Sequence, residues 1–184
     1  MDTLALLTWL ESALGGHGWE AGTATDQPTI VVPADRLLDA GRYLRDQVEF
    51  RFSLLADMTA VDWLSRDPRF EVVYHLVSIE RRARLRLKVP VPGDLVALPT
   101  VADVWPAAGW LEREIWDMFG IAFDGHPDLR RLLMPEDWDG HPLRKDYPVQ
   151  INMAVKHLEP LQVTEAEFKA RIEHDRHVRG SGRP

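Results

Sequence analysis

The 184-residue chain contains no cysteine. Disulfides, thiolate catalysis and cysteine-ligated zinc or iron–sulfur sites are therefore closed to it, and the absence fits a reducing compartment. A surplus of cations is also lacking: 22 Lys and Arg face 29 Asp and Glu, for a net charge of −7. Neutralising a phosphate backbone needs the opposite balance, so nucleic acid is not an expected partner. No apolar run approaches the roughly 20 residues that span a bilayer. The opening stretch MDTLALLTWLESAL has neither a basic n-region nor a small-residue cleavage site, so it does not read as a signal peptide. Membrane association is expected only through another chain. Gly-x-Ser-x-Gly, the Walker loop and Gly-x-Gly-x-x-Gly are missing too, which removes the usual nucleophile and nucleotide sites.

What is present suits a globular body. Hydrophobic residues make up 45% of the chain, and there are seven tryptophans. Each large aromatic can bury roughly 150–250 Å², so a core can form without covalent staples. Thr3 can cap a first helix with Leu4, Leu7, Leu10 and Leu14 at helical spacing and Gly15-Gly16 as its stop. A strand over 28–32 comes next, then a second helix with Asp35 near its start and Leu37, Leu38, Tyr43 and Leu44 on its buried side. Strands are expected over 54–61, 70–78 and 83–91. In the last, Leu85, Leu87 and Val89 alternate with Arg84, Arg86 and Lys88, the period of a half-exposed strand. The basic run from Arg81 to Lys88 reads as a solvated strand face, with an acidic partner surface as the alternative. Pro90, Pro92 and Pro99 are expected to end the sheet. Residues 100–105 read as a short helix. A longer one, 107–119, places Leu111, Ile115, Met118 and Phe119 on one face, with Gly120 as its stop.

From Gly125 the texture changes. Proline recurs at 127, 135, 142 and 148, and the tripeptide Gly-His-Pro occurs twice, at 125 and 140. The expected organisation is an α+β body over 1–123, built on a mixed or antiparallel sheet with flanking helices. An extended arm and terminal helix occupy 124–184, the helix opened by the capping box Thr164-Glu165-Ala166-Glu167.

Several chemistries compete for these residues. His126 and His141, with Asp128 and Asp139, offer ligand atoms for zinc or iron, which would suit a freestanding metal-dependent hydrolase. No His-x-x-x-His spacing pre-aligns them, however, and both histidines precede proline, which biases them to extended backbone. Glu112, Glu114 and Asp117 beside Trp110 and Trp116 could act as general acids. Yet Glu112 and Glu114 lie about 200° apart around a helix, and Arg113 with Asp117 at i,i+4 suggests local pairing instead. What remains is an arm rich in Arg130, Arg131, Trp138, Arg144 and Tyr147, the residue types that anchor protein interfaces.

The stretches Glu112-Arg-Glu-Ile-Trp-Asp-Met-Phe-Gly-Ile121, Gly125-His-Pro-Asp-Leu-Arg130, Leu133-Met-Pro135 and Gly140-His-Pro-Leu-Arg-Lys-Asp-Tyr-Pro148 closely resemble the signature of the 30 kDa (C) subunit of respiratory complex I, the proton-pumping NADH:quinone oxidoreductase. The body, with Leu54-Leu-Ala-Asp-Met-Thr-Ala-Val-Asp-Trp63, is similar more loosely. The resemblance implies an α/β body and a carboxy-terminal segment lying on the large quinone-site (D) subunit of the complex. It implies no flavin, cluster or metal on this chain, while the complex uses NADH, FMN, iron–sulfur clusters and quinone on other subunits, including adjacent iron–sulfur subunits of the peripheral arm. It also implies a peripheral position on the cytoplasmic side of a bacterial inner membrane. An equivalent subunit of a membrane-bound hydrogenase or formate hydrogenlyase is the alternative within this class, and a soluble adaptor lies outside it. The expected interface residues are Glu112, Arg113, Glu114, Asp117, His126, Arg130, Arg131, Trp138, His141, Arg144, Lys145, Asp146 and Tyr147. In this picture the arginines and Lys145 meet a partner, the two histidines act as hydrogen-bonded corners, and the acids of the 107–119 helix tie body to arm.

Overall fold

The structure, a computed structural model, describes residues 18–22, 26–91, 97–148, 164, 166–170 and 172–173. The first helix expected over 3–14 and the tail after residue 173 lie outside them. The described elements are strands β1 (Glu20–Ala21) and β2 (Thr29–Val31), a 3-10 turn (Ala34–Arg36) leading into helix α1 (Leu37–Asp46), strands β3 (Leu54–Asp62), β4 (Phe70–Ser78), β5 (Ala83–Val91) and β6 (Ala97–Pro99), helix α2 (Ala108–Phe119) and strand β7 (Ala122–Asp124).

Five strands form one sheet in the order β1-β2-β5-β4-β3, and β6 pairs with β7 in a second, two-stranded sheet. The β2–β5 pair is parallel and the other three pairs of the larger sheet are antiparallel, so the sheet is mixed and the fold α+β. Register explains the core. Ile30, Leu87, Tyr74 and Met58 lie side by side across four strands, and Val89, Val72 and Ala60 form the next row. All seven are buried, each large apolar side chain contributing roughly 1.5–3 kcal/mol. The opposite face carries Lys88, His75 and Thr59, as the period-2 pattern of β5 requires.

Two local expectations are corrected. Pro90 does not end the sheet: it lies inside β5, opposite Glu71. Arg86 donates its N–H to Pro28 on the β2 side. Alternation then points the donor-less nitrogen of Pro90 the same way, past the end of β2, where no bond is lost. Residues 102–104 form a turn, not a helix over 100–105: Val104 and Trp105 N–H both close on the Val101 carbonyl, at 2.9 and 2.8 Å, and the Glu112 carboxylate caps the Val101 N–H at 2.7 Å.

α2 is set by its apolar face, with Ile115, Met118 and Phe119 buried, and it ends at Gly120, whose φ of 76° is the left-handed region glycine tolerates. One compact unit ends at Tyr147 and a second begins at Pro148. Residues 125–147 thus group with the sheet and helices, whereas the sequence suggests a boundary at 123/124. In the second unit, the expected capping box is present: Thr164 N donates to Glu167 at 2.8 Å and Glu167 N donates back to Thr164 Oγ1 at 3.3 Å, opening helical residues 166–170 and 172–173.

Candidate functional site

Most of the sequence-selected residues converge on α2 and the segment after it. The two Gly-His-Pro copies hold opposite ends of this helix. His126 meets the Gly109 carbonyl through Nε2 at 2.8 Å, while its Nδ1 accepts the Asp128 N–H at 3.0 Å. With Nδ1 occupied by the Asp128 N–H, Nε2 is the ring nitrogen that donates to the Gly109 carbonyl. His141 meets the Asp117 carbonyl through Nδ1 at 3.0 Å, and Leu143 N–H takes the Met118 carbonyl at 3.0 Å. These are carbonyls of the last turn, which a helix leaves without partners. The attachment points Gly109 and Asp117 are eight residues apart, roughly 12 Å along the axis. The two histidines therefore do not form a joint ligand set, and among the described residues no group of three or more His, Asp or Glu is arranged to hold a metal.

Asp117, whose carbonyl His141 holds, has a fully buried side chain. Its Oδ2 accepts three consecutive backbone N–H groups, from Leu132, Leu133 and Met134, at 2.8–3.0 Å. Its Oδ1 accepts Arg131 Nη1 at 2.6 Å. Arg131 then reaches the Trp138 and Gly140 carbonyls at 2.7 and 3.1 Å. Burial pushes the Asp117 carboxyl up, but the three amides and the guanidinium more than offset it and hold the group below the usual carboxylate range. Arg113 does not form the i,i+4 pair with Asp117. It lies over the Trp110 ring and donates to the Arg130 and Arg131 carbonyls at 3.2 and 3.0 Å.

Glu112 faces the other way into the body. Thr100 Oγ1 donates to it at 2.5 Å and Val101 N–H at 2.7 Å, with His126 Nε2 3.9 Å away. Burial pushes its carboxyl up, and those two donors only partly restrain the rise. The Tyr74 hydroxyl is also buried, with no hydrogen-bond partner among the described residues; burial, and after it the Glu112 charge, push its pKa well above the usual phenol value and keep it protonated. Glu114 is exposed, on the far side from Glu112 as helical geometry requires.

A third grip ties Lys145 and Asp146 to the edge of the large sheet through Asp62 and Arg69, two residues outside the expected interface set. Arg69 forks onto the buried Asp62 at 2.9 and 2.7 Å, and Lys145 N–H reaches the same carboxylate at 2.8 Å. Arg69 also holds Asp146 at 2.9 Å. The Arg69 guanidinium keeps both acids well below the usual carboxylate range, helped at Asp62 by the Lys145 and Leu64 amides and at Asp146 by Arg144. The available signal is an aspartate ending an otherwise core-facing strand, which needs a partner. Arg144 pairs with Asp146 at 3.2 Å and lies over the Phe70 ring. The Tyr147 hydroxyl donates to the Asp139 carbonyl at 2.9 Å. Arg130 is 68% exposed and pairs with Asp128, Trp138 is half-buried, and the Lys145 side chain is exposed.

The contacts of this site are cohesive: its buried polar side chains meet backbone partners or each other. Comparison with known proteins places it. Residues 30–152 match the family described as respiratory-chain NADH dehydrogenase, 30 Kd subunit. A protein of Roseiflexus sp. (strain RS-1), named as the C subunit of NADH-quinone oxidoreductase, is 46% identical over 149 residues, 81% of this chain and 86% of the relative. One from Methylococcus capsulatus, named as a C/D subunit of the same oxidoreductase, is 50% identical over 74% of this chain, which matches 24% of that longer protein. Among solved structures, a trypsin-resistant fragment (1-134) of Nqo5 is similar with a TM-score of 0.57 and 34% identity, covering 70% of this chain and 100% of the fragment. A chain of an archaeal membrane-bound sulfane sulfur reductase is similar at a TM-score of 0.66 and 30% identity, covering 77% of this chain and 85% of that one.

Proposed function

The chain belongs to the family of the 30 kDa subunit of respiratory-chain NADH dehydrogenase, and from that premise we propose that it is a non-catalytic scaffold subunit in the peripheral arm of a proton-translocating NADH:quinone oxidoreductase. On this reading electrons pass from NADH through FMN and iron–sulfur clusters to quinone on neighbouring chains. This chain fixes the large quinone-site subunit relative to the clusters. It sits on the cytoplasmic side of a bacterial inner membrane, held there by the complex; no described helix is long and apolar enough to cross a bilayer.

One observation carries the reading. Backbone amides and buried side chains of the 125–147 segment turn inward onto Asp117, Asp62 and the ends of α2, and Leu129 and Met134 pack on the core, while Leu133 and Leu143 turn outward. Leu133 and Leu143 are 59% and 54% exposed, and Trp110 on α2 is 63% exposed. Leu133 and Leu143 gather at the C-terminal turns of α2, where their backbones are bonded to Asp117 and Met118. Apolar groups displayed on a braced segment, with Arg130 and Lys145 beside them, suit a protein interface with an apolar centre and polar rim. The C/D relatives, in which a segment like this chain belongs to one longer polypeptide, support the quinone-site (D) subunit as the neighbour. The likeness to the sulfane sulfur reductase favours a second reading, the equivalent subunit of a related respiratory membrane complex.

Purification of the tagged chain from membranes in mild detergent tests both. Co-purification with the quinone-site subunit, iron–sulfur subunits and a flavoprotein is the expected result, and recovery without the flavoprotein selects the second reading. Recovery of the chain alone, or substrate turnover by the chain alone, contradicts the proposal.

A further inference from the structure

The end of the large sheet away from Asp62 carries a surface that the 125–147 segment does not use. There Leu54 of β3 stands opposite Val77 of β4, and the loop 79–82 closes β4 onto β5, with Ser78 opposite Ala83. Val48, Leu54 and Ile79 are 60%, 43% and 68% exposed. Arg81 donates to the Val48 carbonyl at 2.7 Å, which fastens the 48 loop to this tip. Single exposed apolar residues need no explanation, but a cluster held at one hairpin end does.

The cluster is flanked by Arg81, Arg82 and Arg84, all exposed. The next cations along β5 are neutralised, Arg86 by Asp26 and Lys88 by Glu71. Arg51 is likewise paired, with Glu80. Arg82 and Arg84 have no ion pair among the described residues, a local positive excess in a chain of net charge −7. Arg82 also adopts a φ of 50°, the left-handed region in which glycine or asparagine would close the hairpin with less strain. Turn formation alone does not call for arginine there, so its side chain is the feature left to explain.

We propose that this tip is a second docking surface whose occupant is a carboxylate-bearing face of another subunit of the same complex. Val48, Leu54 and Ile79 supply contact area, and the guanidinium forks of Arg82 and Arg84 pair with acids. A rigid hairpin end suits a shaped protein face, whereas a lipid surface is usually met by a long amphipathic helix. The inference rests on the chain being a complex subunit, and it adds a contact separate from that of the 125–147 segment.

Arg84→Lys places an amine where a zero-length carbodiimide can join it to a touching carboxylate. In the assembled complex the expected product is an amide cross-link from position 84 to an Asp or Glu of one other subunit, absent with the native Arg84. Ile79→Asp together with Arg82→Gly should reduce retention of that subunit about tenfold. Arg82→Gly alone should leave the melting temperature of the free chain unchanged or raised, since it relieves the φ strain. An intact complex with no intersubunit cross-link overturns the proposal. So does a tip as protected from deuterium exchange in the free chain as in the complex, which would mean that the chain's own residues cover it. Binding of the free chain to phosphatidylserine vesicles, lost with Arg82→Gly, with no cross-link in the complex assigns the tip to membrane and overturns it equally. Failure of the chain to co-purify with any complex refutes the subunit reading itself, a different outcome from all of these.

Discussion

Replacing Asp117 by Asn keeps the shape of the side chain and removes its charge, and the surrounding donors decide the consequence. The Asn carbonyl can turn toward the N–H groups of Leu132, Leu133 and Met134. Its amide nitrogen then faces Arg131 Nη1, which approaches the native Oδ1 to 2.6 Å, so a charge-assisted bond becomes donor against donor. Removing one partner of a buried pair costs about 3–5 kcal/mol. Arg131 retains the Trp138 and Gly140 carbonyls and is itself 14% exposed, which places the loss near the lower end, about 3 kcal/mol. At about 1.4 kcal/mol per factor of ten, amide exchange at residues 132–134 should accelerate roughly a hundredfold through local opening. Hydrogen–deuterium exchange on the free chain at fixed pH reads this directly, with Glu114→Gln on the exposed face of the same helix as control. Acceleration of less than about threefold, or an equal effect of Glu114→Gln, would refute the claim that Asp117 holds the segment.

Three other outcomes rest on the same contacts. Asp62, Asp117 and Asp146 are all held below the usual carboxylate range. A depressed folded-state value gives stability that is present above the ordinary value of about 4 and is lost as pH falls below it; protection factors at Lys145 and at 132–134, taken relative to the intrinsic exchange rate at each pH, should therefore fall sharply on acidification past that point while those of β4 hold. Glu112 has the opposite sign. Its raised value means that stability falls as pH climbs above the ordinary carboxylate value of about 4.3, so Glu112→Gln should flatten the dependence of melting temperature on pH and leave the neutral-pH value equal or higher. Gly120→Ala forces a Cβ to within 2.6 Å of the His141 ring at a φ of 76°, which should cost at least about 2 kcal/mol and lower the melting temperature by roughly 4–8 °C.

The strands are the most legible part of the sequence. Alternation in Ala83–Val91 and the β-branched run Phe70–Ser78 match the observed strands at both ends, because one face of each is buried and one is not. α2 is legible through Ile115, Met118 and Phe119, but the burial of Glu112, Arg113 and Asp117 is not. Their burial depends on partners that periodicity cannot see: Thr100 twelve residues earlier for Glu112, Arg131 fourteen residues later for Asp117. The proline-rich segment reads in sequence as a strap whose peptide groups find their partners on another polypeptide, and for the following donors the structure corrects that. Its donors at Leu132, Leu133, Met134, Leu143 and Lys145 find them inside the chain, the last at Asp62 from a distance of eighty-three residues. Such a contact comes from the tertiary arrangement of β3 and the segment, not from local pattern. The doubled Gly-His-Pro is conspicuous, yet its meaning as a clamp on both ends of one helix emerges only from the carbonyls of Gly109 and Asp117.

The outward face of the 125–147 segment can be tested without disturbing the inward one. Leu133 and Leu143 are more than half exposed, so changing both to aspartate should shift the melting temperature of the free chain by no more than about 2 °C, as is usual for surface substitutions. In membranes carrying the doubly substituted chain, the amount of assembled oxidoreductase on native gels should fall about tenfold or more. NADH:quinone turnover per assembled complex should stay at the unsubstituted level. Full assembly accompanied by loss of turnover would contradict the account and assign this surface a part in the reaction itself.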